Sequence, residues 1–450
     1  MSSPPHQRFR YRDSAALRRD ISKFGLPIPW DDDTSILLDA VSVGGRQLPN
    51  RLAVHPMEGF DGEPDGAPGE LALRRYQRYA RGGAGLIWCE ATAVIGDGRS
   101  NGQQLYLNED NIGAFERLVT GTRNAARDSW GVGHAPMLVL QLTHSGRWSR
   151  PDGTRRPLIA QHSPTLDELV GIGEDYPLIT DAALDRLQDA FVRAAELAAR
   201  AGFDGVDIKA CHGYLCSELM AAHTRQGRYG GSLENRVRFL LEIVRRVREA
   251  IPGIFVTSRV SAHDGLPFPY GFGVDRNDPD EVDLTEPLAL LGELRSAGCP
   301  LVNLSMGVPY HRPHLGRPFD RGVPGSDHPP EHPLVGVARF LKLTGTLQRA
   351  LPDLPLVGTG YSWLRHFFPH VAAAVVRQGG VSVVGVGRMA FAYPDFVRDL
   401  TEHGILDPHK TCIGCSGCTE LMRAGGPTGC VLRDTDVYQL PRKTRSRSGA

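Results

Sequence analysis

Residues 201–239 read AGFDGVDIKACHGYLCSELMAAHTRQGRYGGSLENRVRF. A helix is expected to end at Ala201-Gly202, a short strand to span 205–210, and the chain to leave that strand into Lys209, His212 and Tyr214. Alternation assigns the faces, with Val206, Ile208 and Ala210 on one side and Asp207 and Lys209 on the other. A strand with one apolar face against helices and one polar face inward suits an α/β barrel, whose chemistry gathers at the carboxyl ends of its strands. Three proton-handling side chains at one such end form a candidate catalytic cluster. A structural ion pair with a loop histidine is the competing reading.

Outward from this stretch, apolar runs of strand length recur at 51–57, 85–90, 136–142, 254–260, 300–305, 356–360 and 381–386, which with 205–210 makes eight. Helix-length segments lie between them at 70–81, 110–127, 181–201, 232–250, 284–297, 334–349 and 363–377, and a helical turn at 393–400 closes the series. This alternation predicts a (β/α)8 TIM barrel of the α/β class rather than an open sheet. Segment 36–47 reads as a hairpin plugging the barrel bottom. The expected organisation is an N-terminal extension at 1–35, a barrel at 36–403 and a cysteine-rich segment at 404–450. Long loops at 145–178, 261–280 and 307–332 all leave the strand-end face, which suggests a canopy over a substrate.

Over 450 residues, Lys+Arg 51 balances Asp+Glu 51, so no charge excess points to nucleic acid or a membrane surface. No run approaches the roughly 18 apolar residues of a membrane span, and the start, MSSPPHQRFRYRD, lacks a signal-peptide core. A soluble cytoplasmic protein is expected. Of 8 cysteines, Cys412, Cys415, Cys418 and Cys430 share one short segment with spacing C-x2-C-x2-C-x11-C. Such clustering favours a metal centre in a reducing compartment. Spacing alone fits zinc or a 4Fe-4S cluster.

The strand ends collect Pro56-Met57-Glu58, Glu90-Ala91-Thr92, Gln141 with His144, then Lys209, His212, Tyr214, Arg259, Ser305-Met306, Gly358-Thr359-Gly360 and Gly387-Arg388. Glycines at the last two strand ends with a following arginine match the usual barrel phosphate site. Gln141 and Arg259 suit a flavin, whose pyrimidine-like edge pairs with an amide and whose reduced form gains charge near a cation. A buried Arg259 paired with Glu90 or Asp207 is the alternative.

The motifs NRLAVHPM, GLIWCEATAV, QLTHSGRW, AGFDGVDIKACHGYL, RYGGSLENR, VTSRVS and GVGRMAFAYPDF span residues 37–398, and through them the chain resembles the Old Yellow Enzyme family of FMN-dependent NADH:flavin oxidoreductases. The resemblance implies that Pro56, Met57, Ala91, Gln141 and Arg259 contact the flavin ring or ribityl chain, with Glu58 at the flavin edge. Gly360, Gly387 and Arg388 would hold the phosphate. Tyr214 matches the family's proton-donating tyrosine, and His212 the second member of the pair that grips a substrate carbonyl oxygen. The first member is replaced by Lys209, which either stabilises a developing enolate or salt-bridges to Glu58.

The cysteine segment is similar to the cluster segments of trimethylamine dehydrogenase and 2,4-dienoyl-CoA reductase, with one residue fewer between the second and third cysteines. The nucleotide-binding domains that follow there are not expected before Ala450. Glu58 stands where amine dehydrogenases attach FMN through a cysteine, so FMN is expected to bind non-covalently. The resemblance implies reduction of an activated C=C bond in a conjugated carbonyl compound, with NADH or NADPH as electron donor. The alternatives are a flavin/iron-sulfur dehydrogenase of an amine or saturated carbonyl compound that feeds an external electron-transfer protein, and an electron-transfer subunit of a larger complex. Barrels of this family often form homo-oligomers.

Overall fold

The eight apolar runs form strands β1 (Leu52–Val54), β2 (Leu86–Ala93), β3 (Met137–Thr143), β4 (Gly205–Ile208), β5 (Phe255–Ser261), β6 (Val302–Ser305), β7 (Leu356–Gly358) and β8 (Val383–Val386). In the computed structural model, which describes residues 4–440, they close in the order β8-β1-β2-β3-β4-β5-β6-β7 with every neighbour parallel. The fold is the expected (β/α)8 barrel. Parallel neighbours require crossover helices, and these cover the outside.

Period-two patterning places each side chain as expected on β4. Val206 and Ile208 join the outer core with Phe191 and Phe239 of the flanking helices. Asp207 points inward, where it accepts from Trp88 Nε1 at 2.8 Å. The hairpin expected at 36–47 forms later, as Val41–Val43 with Arg46–Leu48 after a 3-10 turn at Ser35–Leu38, and it puts Val43 and Leu48 against Trp88, Val139, Phe255 and Val357, so it stoppers the barrel floor.

Helix boundaries follow capping chemistry. Thr180 accepts from Ala183 N at 3.2 Å to start Asp181–Arg200, and Ser232 accepts from Asn235 N at 3.4 Å to start Leu233–Ala250.

Five further expectations need correction. The first strand, expected at 51–57, pairs only over Leu52–Val54, and Pro56, which has no N–H to give a ladder, lies beyond it with Met57. The run 205–210 stops pairing as a strand at Ile208, with one isolated bridge from Ala210 to Val260, so Lys209 is the first residue beyond β4. Strand β2 continues to Ala93 because a bulge between Cys89 and Thr92 resets its register. The single helix at 363–377 is a 3-10 segment, Tyr361–Phe367, followed by the α-helix Phe368–Arg377. Pro369 can open a helix but not sit inside one, and Arg365 at φ 54° breaks the run before it. The closing turn is displaced to Phe396–His403, after a short Arg388–Ala392 helix.

The N-terminal segment contains the helix Ser14–Lys23, capped by Asp13 through Ala16 N at 2.7 Å. Its Leu17 and Ile21, with Tyr11 and Ile28, belong to the same core as the barrel helices. Residues 1–3 of the extension and 441–450 of the cysteine-rich segment lie outside the described residues. Among the described residues, no helix is long and apolar enough to cross a membrane.

Candidate active site

Two of the three groups after β4, Lys209 and Tyr214, meet on Glu58, while His212 is held apart on Ser305. Tyr214 OH donates to Glu58 Oε1 at 3.2 Å, and Lys209 Nζ approaches the same oxygen at 3.3 Å. Lys209 Nζ also lies 3.5 Å from the Tyr214 ring centroid, a cation–π contact. Ser100 Oγ reaches the other carboxylate oxygen at 3.4 Å. Of the two roles open to Lys209, the structure shows the salt bridge.

Burial, then the Glu58 charge, pushes the Tyr214 phenol well above its ordinary range. The side chain is therefore a protonated donor at neutral pH. His212 sits in the left-handed region at φ 68°, an uncommon conformation for a non-glycine residue, and its Nε2 is 2.8 Å from Ser305 Oγ. Burial, with the cations Arg259, Lys209 and Arg388, holds this imidazole well below its usual pKa, so it is neutral.

Buried networks fix this cluster from behind. Glu90 accepts from Gly59 N at 2.7 Å and from Arg75 Nη2 at 2.5 Å, while Arg75 also grips Asp61. The loop carrying Glu58 is thereby tied to β2. On β4, Asp207 accepts from Gln141 Nε2 at 2.5 Å and from Arg259 N at 2.7 Å, and burial raises its carboxyl pKa to about 6. Neither acid pairs with the Arg259 guanidinium, which is 7% exposed, has an unpartnered Nε, and has its pKa lowered by burial.

Among the described residues, Arg259 is a cation with no ion-paired anion at the barrel mouth, and this observation tests a flavin here. Charged groups are rarely buried unless paired. An electron-rich heterocycle edge beside Arg259 would supply such a partner. Arg388 Nε, after β8, is also buried and has no hydrogen-bond partner among the described residues, and a phosphate would suit it as an acceptor. Pro56 and Ala91 are buried beside this mouth and Met57 is half-buried. The two glycines are needed for their own packing. Gly360 has φ 96° and a Cβ there would lie 2.8 Å from Phe340, while one on Gly387 would lie 2.9 Å from Met57 Sδ.

The canopy holds residues that sequence reasoning missed. Trp148 donates to Gly213 O at 2.9 Å and stacks on Tyr310 at 3.9 Å between centroids, so the loops after β3 and β6 close together above Tyr214. Trp148 was visible only as part of QLTHSGRW, and Tyr310 carried no signal beyond being a loop aromatic. Arg147, with a fully buried side chain, bonds Glu218 Oε2 at 2.9 Å and also Asp167, which rivets this canopy to the helix after Tyr214.

Cys412, Cys415, Cys418 and Cys430 line one small pocket, together with Arg388 and Phe391. Gly414 N lies 3.5 Å from Cys412 Sγ. Among the described residues, no three ligating side chains converge as a single metal ion requires. Tetrahedral zinc, with bonds of about 2.3 Å, would draw the sulfurs together. A polynuclear cluster separates its thiolates more widely, and a shared pocket suits that donor set. No cysteine among the described residues forms a disulfide.

Residues 37–268 match the family model described as the NADH:flavin oxidoreductase / NADH oxidase family. The chain belongs to that family. It is 28% identical over 403 residues to a metal reductase of Desulforamulus reducens, covering 88% of this chain and 53% of the relative. The chain therefore spans about half the length of that curated relative. Among solved structures it is similar in fold to a 2-naphthoyl-CoA reductase complex, with TM-score 0.70, 19% identity, and coverage of 89% of this chain and 57% of that one. It is likewise similar to histamine dehydrogenase from Rhizobium sp. 4-9, with TM-score 0.67, 22% identity, and coverage of 89% and 52%.

Proposed function

We propose that this member of the NADH:flavin oxidoreductase / NADH oxidase family is an FMN-dependent oxidoreductase that reduces an activated C=C bond of a conjugated carbonyl compound. NADH or NADPH is the proposed electron donor. The observation that carries the reading is the pair of proton-handling groups just after β4, a buried Tyr214 whose hydroxyl is held on Glu58 and a His212 held on Ser305.

In this reading Pro56, Met57, Ala91, Gln141 and Arg259 hold the flavin ring and ribityl chain, and Gly360, Gly387 and Arg388 hold the phosphate. Bound FMN supplies the hydride that goes to the substrate β-carbon. Tyr214 gives its proton to the α-carbon, a general-acid contribution of about 10²–10⁴-fold. His212, held by Ser305, presents an imidazole N–H to the carbonyl oxygen and stabilises the enolate charge. The Trp148–Tyr310 lid limits water above the reacting carbons.

The pocket lined by the four cysteines favours a second reading, in which Cys412, Cys415, Cys418 and Cys430 would hold a 4Fe-4S cluster, whose chemistry would be one-electron transfer in the oxidation of an amine or saturated carbonyl substrate with an external carrier as acceptor. The fold similarity to histamine dehydrogenase supports it. Anaerobic titration with iron and flavin analysis separates the two. Bleaching of bound flavin by NADH or NADPH supports the reductase, and bleaching only by a saturated substrate supports the dehydrogenase. About four irons per chain support the cluster in either case, and iron-free protein purified anaerobically argues against it.

A further inference from the structure

Glu58 stands between the proton donor and the cation. Oxygen Oε1 is shared by Tyr214 OH at 3.2 Å and Lys209 Nζ at 3.3 Å. Its side chain is 13% exposed against 4% for Lys209, and Tyr214 is 3% exposed, so Glu58 is the member of the trio most open to solvent. The groups facing Tyr214 are Glu58, Lys209, Tyr310 and Ser100, and Glu58 carries the negative charge among them.

That arrangement creates a problem once Tyr214 has given up its proton. A phenolate would then face a carboxylate across a hydrogen-bond distance in a buried site, and two such anions cannot both stay ionised. A proton must enter the pair, and the solvent-open carboxylate is where it can arrive.

We propose, resting on the reductase reading above, that Glu58 is the proton-exchange partner that resets Tyr214 after each turnover. The Tyr214 O–H bond breaks as the α-carbon–hydrogen bond forms with the enolate's electron pair. Glu58, protonated from solvent, then gives its proton to the phenolate and returns to the carboxylate form. One proton passes from solvent to substrate per cycle and no electrons move through this path. The Lys209 ammonium, touching both partners, offsets the negative charge of the pair, most of all in the state in which Tyr214 has lost its proton, which gives it a task other than gripping a carbonyl.

The test uses the FMN-loaded protein and two readouts. The first is ultraviolet difference titration of the Tyr214 phenol, with Tyr214→Phe subtracted. Glu58→Gln should lower its apparent pKa by about one unit or more, and Lys209→Met should raise it. An unmoved titration in Glu58→Gln overturns the proposal whether or not the protein reduces enones. The second compares first-turnover with steady-state enone reduction. In Glu58→Gln the steady-state rate should fall about tenfold further than the first-turnover rate, and added acetic acid should restore it. Parallel losses without rescue overturn the proposal. A wild-type protein that reduces no enone refutes the reductase reading instead, and the phenol titration then decides the Glu58–Tyr214 coupling alone.

Discussion

Replacing Arg259 with methionine should have opposite effects on the flavin-free protein and on flavin binding. The guanidinium is 7% exposed, its Nε finds no acceptor, and the nearby Asp207 carboxylate is already taken by Trp88, Gln141 and the Arg259 backbone N–H. An unpaired buried ion costs several kcal/mol, partly offset here by the attraction of Asp207. An apolar side chain of similar length removes that cost, so Arg259→Met should stabilise the flavin-free protein by ~1–3 kcal/mol. The same change removes a charge-assisted hydrogen bond to FMN worth ~1.5–3 kcal/mol, raising Kd roughly 10- to 150-fold. Urea unfolding of the flavin-free protein and quenching of FMN fluorescence on binding measure the two effects. A destabilised flavin-free variant, or FMN affinity within about twofold of wild type, refutes the reasoning.

Two further outcomes follow from buried polar groups. Arg147→Met should destabilise the protein by ~2–4 kcal/mol in urea unfolding, towards the lower end of the cost of breaking a buried pair, because Glu218 keeps its bond from Ala160 N at 2.7 Å. Less than about 1 kcal/mol would show that the canopy is not held there. Burial lowers the His144 pKa from 6.5 to about 4, so the unfolded chain binds the extra proton first. Stability from this group is complete above about pH 6.5 and falls as pH drops towards about 4, by up to ~3 kcal/mol. His144→Asn should flatten that part of the stability–pH curve, and an unchanged slope would count against it.

The barrel was readable because each strand carries its own apolar run and each helix its own boundary signal. Strand ends were less readable. The bulge in β2 and the early stop of β4 depend on how neighbouring strands register, which no single run encodes. The helix Ser14–Lys23 was missed because only Leu17 and Ile21 are buried on it, a weak stripe among charged residues. Pro369 could have divided the segment 363–377, since proline marks a first turn.

At the site, Tyr214, His212 and Lys209 were legible as a cluster because one short stretch delivers all three. Glu58 was legible as one of two partners for Lys209, and the Tyr214 bond to it was not, since it joins residues 156 positions apart. Trp148 and Tyr310 come together only when two long loops fold over each other, and loop conformation is poorly encoded by local pattern.

The central claim is that Tyr214 protonates the substrate after hydride transfer, and anaerobic stopped-flow of the FMN-loaded protein tests it most directly. Tyr214→Phe should be reduced by NADH or NADPH at close to the wild-type rate, while its reoxidation by a cyclic enone should slow by about 10²-fold or more. Reoxidation at the wild-type rate would contradict the account.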